Sequence, residues 1–395
     1  MGRRTRTIGV AVAVAGTVLA SLAAAAPAHA APEQSAGSPA SGSGPGCKPS
    51  IRVLRSLPGS DTEPSPWTHR TQVNGIGPLG LSVGVSHGRP AYWLGAGVHA
   101  VPLPTGATGG SVEAVNRHGL MVGTVTTPTG RKAFGYRPGA RAVSLLPGGQ
   151  TATAVNDRGH IVGTRYDADT GRTIGLEWSG GTLRRELPLP AGFHLGEVTG
   201  INEAGHVIGH GSGPSEDPED SYGINPGLLW SADAAAAPAT LQPAGGAYEY
   251  YKPQAIDDSG RIVGLHWNSR AMEDTAIAWS APYGSATPAP WMAGRTSGTF
   301  EDISPSTRVS VGIAHDSPYT HPPGQPPPVQ AQYWSGSGPV RALPRLAPGG
   351  FSAAYAVTDD DQVGGVAVDA GGVVRPVIWT CASRQAYVPT ADPAP

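Results

Sequence analysis

The chain repeats one short pattern of apolar and polar positions, and the pattern is typical of β-strands joined by tight turns. Its clearest form occupies residues 154–163 (AVNDRGHIVG), and it returns at residues 114–123, 200–209 and 255–264. An Asn followed three positions later by Gly is typical of a type I turn, in which Asn binds its own backbone and Gly accepts a positive φ. Each copy is therefore predicted to be a β-hairpin.

Three weaker copies bring the total to seven. They begin at Val73, Asp302 and Ala356. The glycines that end the seven copies lie 39 to 55 residues apart, which is the span of a four-stranded propeller blade. No segment keeps a 3.6-residue apolar period, so helices are expected to be nearly absent.

Two further landmarks follow each hairpin. The first is an apolar stretch that ends in an aromatic residue, and the second, in most copies, is a Leu-Pro pair. In the third copy they are residues 176–178 and 187–188, predicted to end the third and fourth strands. The fold prediction is all-β: a seven-bladed β-propeller of four-stranded antiparallel blades. A catalytic residue is seldom needed seven times, so the repeated Asn, Gly and Trp are interpreted as structural.

The two ends of the repeat array complement each other. Residues 51–59 resemble a fourth strand with no strands one to three before it, and the seventh copy stops after a third strand at Trp379. The N-terminal strand is therefore predicted to complete the last blade. Cys47 and Cys381 flank that junction and are predicted to form a disulfide, as expected for an exported protein.

Residues 1–30 have the order of a secretory signal peptide. Three arginines precede an apolar run that ends at Ala28-His29-Ala30. A retained membrane anchor is the alternative, but Gly and polar residues interrupt the run. We expect a secreted, extracellular protein with no membrane span after cleavage, associated with the cell envelope or free. The predicted domains are a signal peptide (1–30), a disordered Ala/Gly/Ser/Pro leader (31–46), the propeller (47–382) and a C-terminal tail (383–395).

The repeat resembles that of the HAF family of extracellular repeat proteins. That repeat pairs a Val/Ile-Asn-x-x-Gly-x-Val-Val-Gly segment with a His-Ala-Phe-like segment, to which residues 132–134 (KAF) come nearest. The resemblance covers roughly residues 51–380. It implies an exported, propeller-like protein, and it implies no catalytic residue.

Charge and motifs indicate no reaction, cofactor or metal. The formal net charge is −2, and removal of the three arginines in residues 1–30 makes it about −5, so no nucleic-acid partner is expected. Residues 84–88 (GVSHG) match a nucleophile elbow, but no helical pattern follows them. The acidic segments 167–171 and 216–220 are interpreted as solvated loops, because the other ligands of a calcium loop are missing.

The candidate binding surface follows from where the repeat varies in length. The connections between strands two and three, and between blades, are long in several copies, and in a propeller both emerge on one face. The predicted ligand residues on that face are Tyr248, Glu249, Tyr250, Tyr251, Trp267, Trp291, Asp316 and Tyr319. Aromatic faces beside acids favour a glycan or peptide ligand for a monomeric binding or surface-scaffold protein. The alternative is an extracellular hydrolase or lyase that acts on polysaccharide with carboxylates of these loops.

Overall fold

The structure is a computed structural model that describes residues 46–59, 70–95, 97–214, 224–233, 236–241, 249–317 and 328–390. The predicted signal peptide, nearly all of the predicted leader, Tyr248 and Tyr319 lie outside these residues. Within them, seven four-stranded antiparallel sheets form a β-propeller, as predicted, with very little helix. No helix in the described part of the chain is both long and apolar enough to cross a membrane.

The strands follow the chain blade by blade. The first strand is β1 (Ser50–Val53), and blades one to three contain β2 (Gln72–Ile76), β3 (Leu81–Ser86), β4 (Arg89–Leu94), β5 (Gly97–Ala100), then β6 (Gly109–Val115), β7 (Met121–Thr127), β8 (Gly130–Tyr136), β9 (Ser144–Leu145), then β10 (Thr151–Val155), β11 (His160–Asp167), β12 (Arg172–Ser179), β13 (Thr182–Leu187). Blades four and five contain β14 (His194–Ile201), β15 (Val207–Ser212), β16 (Gly227–Trp230), β17 (Ala239–Leu241), then β18 (Glu249–Ile256), β19 (Ile262–Asn268), β20 (Glu273–Trp279), β21 (Thr287–Pro288). Blades six and seven contain β22 (Ser297–Ile303), β23 (Ser310–His315), β24 (Val329–Trp334), β25 (Arg341–Ala342), then β26 (Ser352–Val357), β27 (Gln362–Val368), β28 (Val374–Thr380).

The repeated Asn and Gly form the turn that the sequence predicts. In blade three, the Gly159 amide donates to the Asn156 carbonyl at 3.0 Å, and Gly159 has a φ of 77°. The side-chain oxygen of Asn156 accepts the His160 amide at 2.9 Å. The Asn side chain thus satisfies a backbone donor that the tight turn leaves free.

Four of the tryptophans join neighbouring blades by a hydrogen bond. Trp178 of blade three is fully buried, and its indole N–H donates to the Pro147 carbonyl, 2.9 Å away, just after the fourth strand of blade two. Trp230 and Trp379 make the same bond to Pro188 and Pro344. The two landmarks that recur in the sequence are therefore partners across the interface between blades.

The ring closes through the N-terminal strand. β1 pairs antiparallel with β28, so the seventh sheet has the order β1-β28-β27-β26. Trp93 of blade one donates to the Arg55 carbonyl just after β1, which makes β1 equivalent to the fourth strands of the other blades. The predicted disulfide between Cys47 and Cys381 is confirmed, with Cα atoms 6.0 Å apart. A short helix, α1 (Ala382–Gln385), follows it.

Candidate functional site

A β-bulge interrupts the first strand of every blade at the same position. The extra residue has no partner on the second strand, as at Thr153, which lies between the paired residues Ala152 and Ala154. Bulges redirect side chains and are common beside functional sites. The seven bulge residues are Asn74, Glu113, Thr153, Thr199, Gln254, Glu301 and Tyr355.

The glycine that ends each repeat makes this bulge possible. A Cβ added to Gly163 would lie 2.0 Å from the Thr151 carbonyl, two residues before the bulge, so a larger residue cannot occupy the position without displacing the strand. The same close approach, at 2.0–2.3 Å, occurs at the corresponding glycine of all seven copies. The glycine that marks the end of each repeat in the sequence is therefore the residue that permits the bulge in the first strand of each blade.

The bulge residues form the waist of a central channel. The first strands of successive blades contact one another around the ring, including β26 with β2. Two cavities of about 590 and 650 Å³ lie along the axis, and the seven bulge residues are the residues that line both. We call these seven residues the waist. The turn-face cavity adds the hairpin turns, and the loop-face cavity adds the opposite ends of the strands.

Several waist side chains also join blades. The Thr153 hydroxyl donates to the Val198 carbonyl at 2.8 Å, and the Thr199 hydroxyl donates to the Pro253 carbonyl at 2.8 Å. Asn74 donates its amide to the Val112 carbonyl at 2.9 Å. These bonds run from blades one, three and four to the next blade in the ring, so they hold these three waist side chains in fixed orientations.

The two carboxyl groups of the waist have matching environments. Glu301 accepts hydrogen bonds from the Thr299 hydroxyl (2.7 Å) and from the amide of Gln254 in the preceding blade (3.2 Å). Glu113 accepts from the Ser111 hydroxyl and from the amide of Asn74 in its preceding blade (3.3 Å).

Burial raises the pKa of both waist carboxyl groups. At Glu301 the Thr299 hydrogen bond and the charge of Lys252 oppose the shift without cancelling it. At Glu113 the Ser111 hydrogen bond and Arg131 act in the same opposing sense. Both groups therefore hold a proton to a higher pH than an exposed glutamate does.

The loop-face cavity is lined by positively and negatively charged side chains and by neutral polar groups. Lys252 and Glu197 form an ion pair of 3.0 Å, and Arg131 lines the wall on blade two. Burial, followed by the nearby charge of Lys252, lowers the pKa of His210 to about 4, so its imidazole is neutral at pH 7. Hydroxyl groups of Thr124, Thr151 and Thr164 complete a polar lining.

The turn-face cavity is acidic, and its acids have structural partners. Asp157 accepts the Arg117 amide at 2.8 Å, Glu203 accepts the Asp157 amide at 2.6 Å, and Asp258 accepts the Glu203 amide at 3.2 Å. Each carboxylate thus joins its blade to the preceding one. The loop-face cavity is the better candidate site, because within the described residues none of its carboxylates is occupied by a main-chain amide of a neighbouring blade.

The predicted residues Glu249, Tyr250 and Trp267 lie together on one hairpin at the loop face. Glu249 and Tyr250 begin β18, and Tyr250 pairs with Trp267 near the end of β19. Tyr250 is half-buried, and that burial raises its pKa. None of the predicted ligand residues that the structure describes lines the channel, although Lys252, two residues after Tyr250, does.

Tyr251 requires a correction, because it does not offer a ring to a ligand. It is 4% exposed and stacks on His266 with ring centroids 4.5 Å apart, and its edge packs on Trp279. Successive side chains point to opposite faces of a strand, so Tyr251 packs in the blade core and the residues on either side of it point to the other face. The sequence pattern did not separate the two orientations.

Trp291 and Asp316 lie on the same face, at blade six. Trp291 is 46% exposed in the connection between β21 and β22, and Asp316 follows β23. The Asp316 carboxylate lies 3.6 Å from Arg295. Trp291 therefore keeps an accessible ring beside the loop-face surface, outside the channel.

Sequence analysis missed the waist, although a signal for it exists. Each waist residue stands three positions before the repeated turn position, as Glu113 stands before Asn116 and Thr199 before Asn202. These positions carry polar or aromatic residues between apolar neighbours, except that Asp302 follows Glu301. Among the described residues, no group of three or more His, Cys, Asp or Glu side chains is arranged to hold a metal ion.

Comparisons with solved structures establish the fold alone. The β-propeller domain of the trilobed protease from Pyrococcus furiosus superposes with a TM-score of 0.51 at 8% identity, covering 79% of this chain and 94% of that one. A putative TolB from Agrobacterium tumefaciens gives a TM-score of 0.41 at 12% identity, covering 66% of this chain and 86% of that one. The Dos1 propeller gives 0.47 at 11% identity, covering 85% and 96%. No family model and no curated protein matches the chain.

Proposed function

We propose that this chain is an exported binding protein that takes a carbohydrate in its loop-face cavity. The observation that carries the proposal is the waist, where seven bulges direct mainly polar side chains into a cavity of about 650 Å³. This arrangement agrees with a binding or scaffold role, since propellers present ligand sites at the mouth of the channel.

The chemistry of the lining favours a hydroxyl-rich ligand. Sugar hydroxyls donate and accept hydrogen bonds, and the cavity offers both kinds of partner in threonine hydroxyls, the Gln254 amide and the carboxyl groups of Glu113 and Glu301. Its positive and negative side chains nearly balance, which favours a ligand of low net charge. The exposed ring of Trp291 on the same face provides a surface on which a longer chain of sugar rings can stack.

Export and family membership are parts of the same proposal. A disulfide that joins positions 334 apart suits an oxidising compartment, and residues 1–30 have the pattern of a signal peptide. The repeat resembles that of the HAF family, to which we assign the chain on these sequence landmarks. Mass spectrometry of the protein recovered from culture medium is expected to find Ala31 at its N-terminus.

A glycan array with purified residues 31–395 tests the proposed ligand class. We expect binding to a restricted set of glycans, and Glu301→Gln is expected to weaken it at least tenfold. Thr299 donates to one carboxylate oxygen of Glu301 and Gln254 donates to the other, so the amide replaces one of these two acceptors with a donor and the lining of the cavity must rearrange.

Glu186→Gln is the matched control. Glu186 is half-exposed on blade three, where it pairs with Arg165, and its loss should leave binding unchanged. An array without specific signals would contradict the carbohydrate assignment. Release of reducing ends from a bound polysaccharide would instead identify an enzyme.

A further inference from the structure

Tyr355 of blade seven is the aromatic member of the waist, and its contacts differ from those of the other six members. Each of those six has a polar side chain that is hydrogen bonded to a neighbouring blade, as Thr199 is to the Pro253 carbonyl and Gln254 is to Glu301. The Tyr355 hydroxyl makes no hydrogen bond with any residue that the structure describes. Its side chain is therefore not used to join blades by hydrogen bonding.

The ring of Tyr355 is held by its own blade and borders the channel. It packs against a small apolar cluster of Ala353, Val366 and Val374. The residue is half-buried, stands at the bulge of β26 and lines both axial cavities. Because the blade supports one part of the ring, little side-chain freedom is lost when a ligand contacts the part that borders the channel.

Polar groups lie on both sides of this ring. Glu301 precedes it in blade six, and burial followed by the charge of Glu301 raises the pKa of Tyr355. The Tyr355 hydroxyl therefore stays protonated and can donate a hydrogen bond. Asn74 follows it in blade one, where the Asn74 side-chain oxygen accepts the Gln72 amide at 2.7 Å. A ligand against the Tyr355 ring thus has carboxyl and amide groups beside it.

An aromatic ring among such groups has the chemistry of a sugar subsite. The C–H groups of a pyranose give it an apolar face, and its hydroxyls project from its edge. An aromatic side chain supplies contact area for that face, and the surrounding donors and acceptors bind the hydroxyls. We propose that a pyranose unit of the glycan stacks on Tyr355 in the loop-face cavity, with Glu301 and Asn74 beside its hydroxyls. This inference rests on the proposed function and adds the ring form of the bound sugar and the residue that contacts it.

Calorimetry of residues 31–395 with the glycan that gives the strongest array signal tests the inference. Tyr355→Leu is expected to weaken binding about tenfold, because the aromatic surface is lost. Tyr355→Phe keeps the ring and is expected to weaken binding by about threefold or less, through loss of the hydroxyl. Melting curves verify that both variants fold.

Nuclear Overhauser contacts provide a direct reading that a purely structural role of Tyr355 would not produce. C–H protons of the bound pyranose should show contacts to a tyrosine ring in the native protein. In Tyr355→Phe these contacts should move to phenylalanine frequencies. The absence of both sets of contacts would overturn the inference even if Tyr355→Leu fails to fold.

Tyr166→Leu is the matched control for loss of a tyrosine ring. Tyr166 is 55% exposed on β11 and lies outside both axial cavities, so its loss should leave binding unchanged. Equal affinity of the native protein and Tyr355→Leu for the glycan would overturn the stacking inference and leave the carbohydrate site in place. An array without specific signals would instead contradict the proposed function, and this subsite with it.

Discussion

Asn202 of blade four donates its side-chain amide to the main-chain carbonyl of Asp257 in blade five, 3.0 Å away. Its side-chain oxygen accepts the His206 amide at 2.9 Å. Asn116 and Asn156 make the same two kinds of contact in their blades. The repeated Asn therefore closes its own turn and also ties its blade to the next one.

This series of hydrogen bonds from an Asn side chain to a carbonyl of the next blade stops at Asp257. A stabilising substitution is therefore predicted at that position. A carboxylate cannot donate, and Oδ2 of Asp257 is buried with no hydrogen-bond partner in the described residues. Asp257→Asn keeps the oxygen that accepts the Arg261 amide and adds a donor toward Ser304, the equivalent residue of blade six. We expect the free energy of unfolding to rise by about 0.5–1.5 kcal/mol, measured by urea denaturation.

Asn156→Asp is the opposite change and provides the control. It removes the donor to the Asn202 carbonyl, 3.0 Å away, and should cost about 1–3 kcal/mol. Loss of stability in both variants would contradict this series of hydrogen bonds as the explanation of the repeated Asn.

The disulfide is predicted to be a major source of stability. It joins residues 334 apart in sequence, and in the chain-entropy model closing so long a loop contributes on the order of 5 kcal/mol. The double variant Cys47→Ser, Cys381→Ser should therefore melt at a much lower temperature. A reducing agent should lower the melting temperature of the native protein and leave that of the variant unchanged. An equal response of both would show that the bond does not stabilise the ring.

Asp302 predicts a specific pH dependence. It accepts the amides of Ile303 (2.9 Å) and Val357 (2.8 Å), and burial raises its pKa to about 7. In the unfolded chain the pKa is about 3.9, so between these values the folded protein holds more protons and its stability falls as the pH rises. Asp302→Asn removes this contribution. The stability of the variant minus that of the native protein should be more favourable at pH 8 than at pH 5.

Urea denaturation at the two pH values measures this difference. The variant must be compared with the native protein at each pH, because other groups such as Glu177 also contribute to the pH dependence of stability. Burial tends to raise its pKa, but Arg185 and Arg184 outweigh that effect and lower it, so Glu177 contributes in the opposite direction. A pH-independent difference between Asp302→Asn and the native protein would show that Asp302 titrates normally.

Tyr251 and Trp291 are predicted to respond differently to removal of their rings. Tyr251 is 4% exposed, so Tyr251→Ala leaves a cavity in blade five and should cost about 3–5 kcal/mol. Trp291 is 46% exposed, so Trp291→Ala should change stability by less than about 0.5 kcal/mol while it weakens binding of a long glycan. Melting curves and glycan titrations of the two variants measure these effects. Unchanged stability in Tyr251→Ala would contradict its assignment to the core.

The sequence predicted the fold well because the repeat specifies it locally. An Asn-x-x-Gly turn sets the first hairpin in the clearest copies, and in six of the seven blades a Trp lies at or next to the end of the third strand, as is typical of a large buried side chain at the interface between blades. The pairing of Cys47 with Cys381 followed from a count of two cysteines and their places at the ends of the array. Because the pattern occurs seven times, each interpretation is supported by several copies.

The candidate site was less predictable for a geometrical reason. Whether a strand residue faces the blade or the channel depends on the bulge, which moves one residue out of the alternation. Tyr251 and Lys252 are adjacent in sequence, yet one is in the core and the other lines the channel. The glycines that permit the bulge were recognised only as repeated structural positions, because their contact with a carbonyl of the first strand exists only in the folded blade.

A ligand site in the loop-face cavity can be tested by blocking the two channel cavities one at a time. Arg131 lines the loop-face cavity alone and Asp360 lines the turn-face cavity alone, and neither side chain makes a hydrogen bond or ion pair within the described residues. Calorimetry with the glycan that binds best on the array is then performed on Arg131→Trp and Asp360→Trp, with melting curves to verify folding. We expect Arg131→Trp to lose binding and Asp360→Trp to keep it. Binding retained in Arg131→Trp, or lost in Asp360→Trp, would contradict a ligand site in the loop-face cavity.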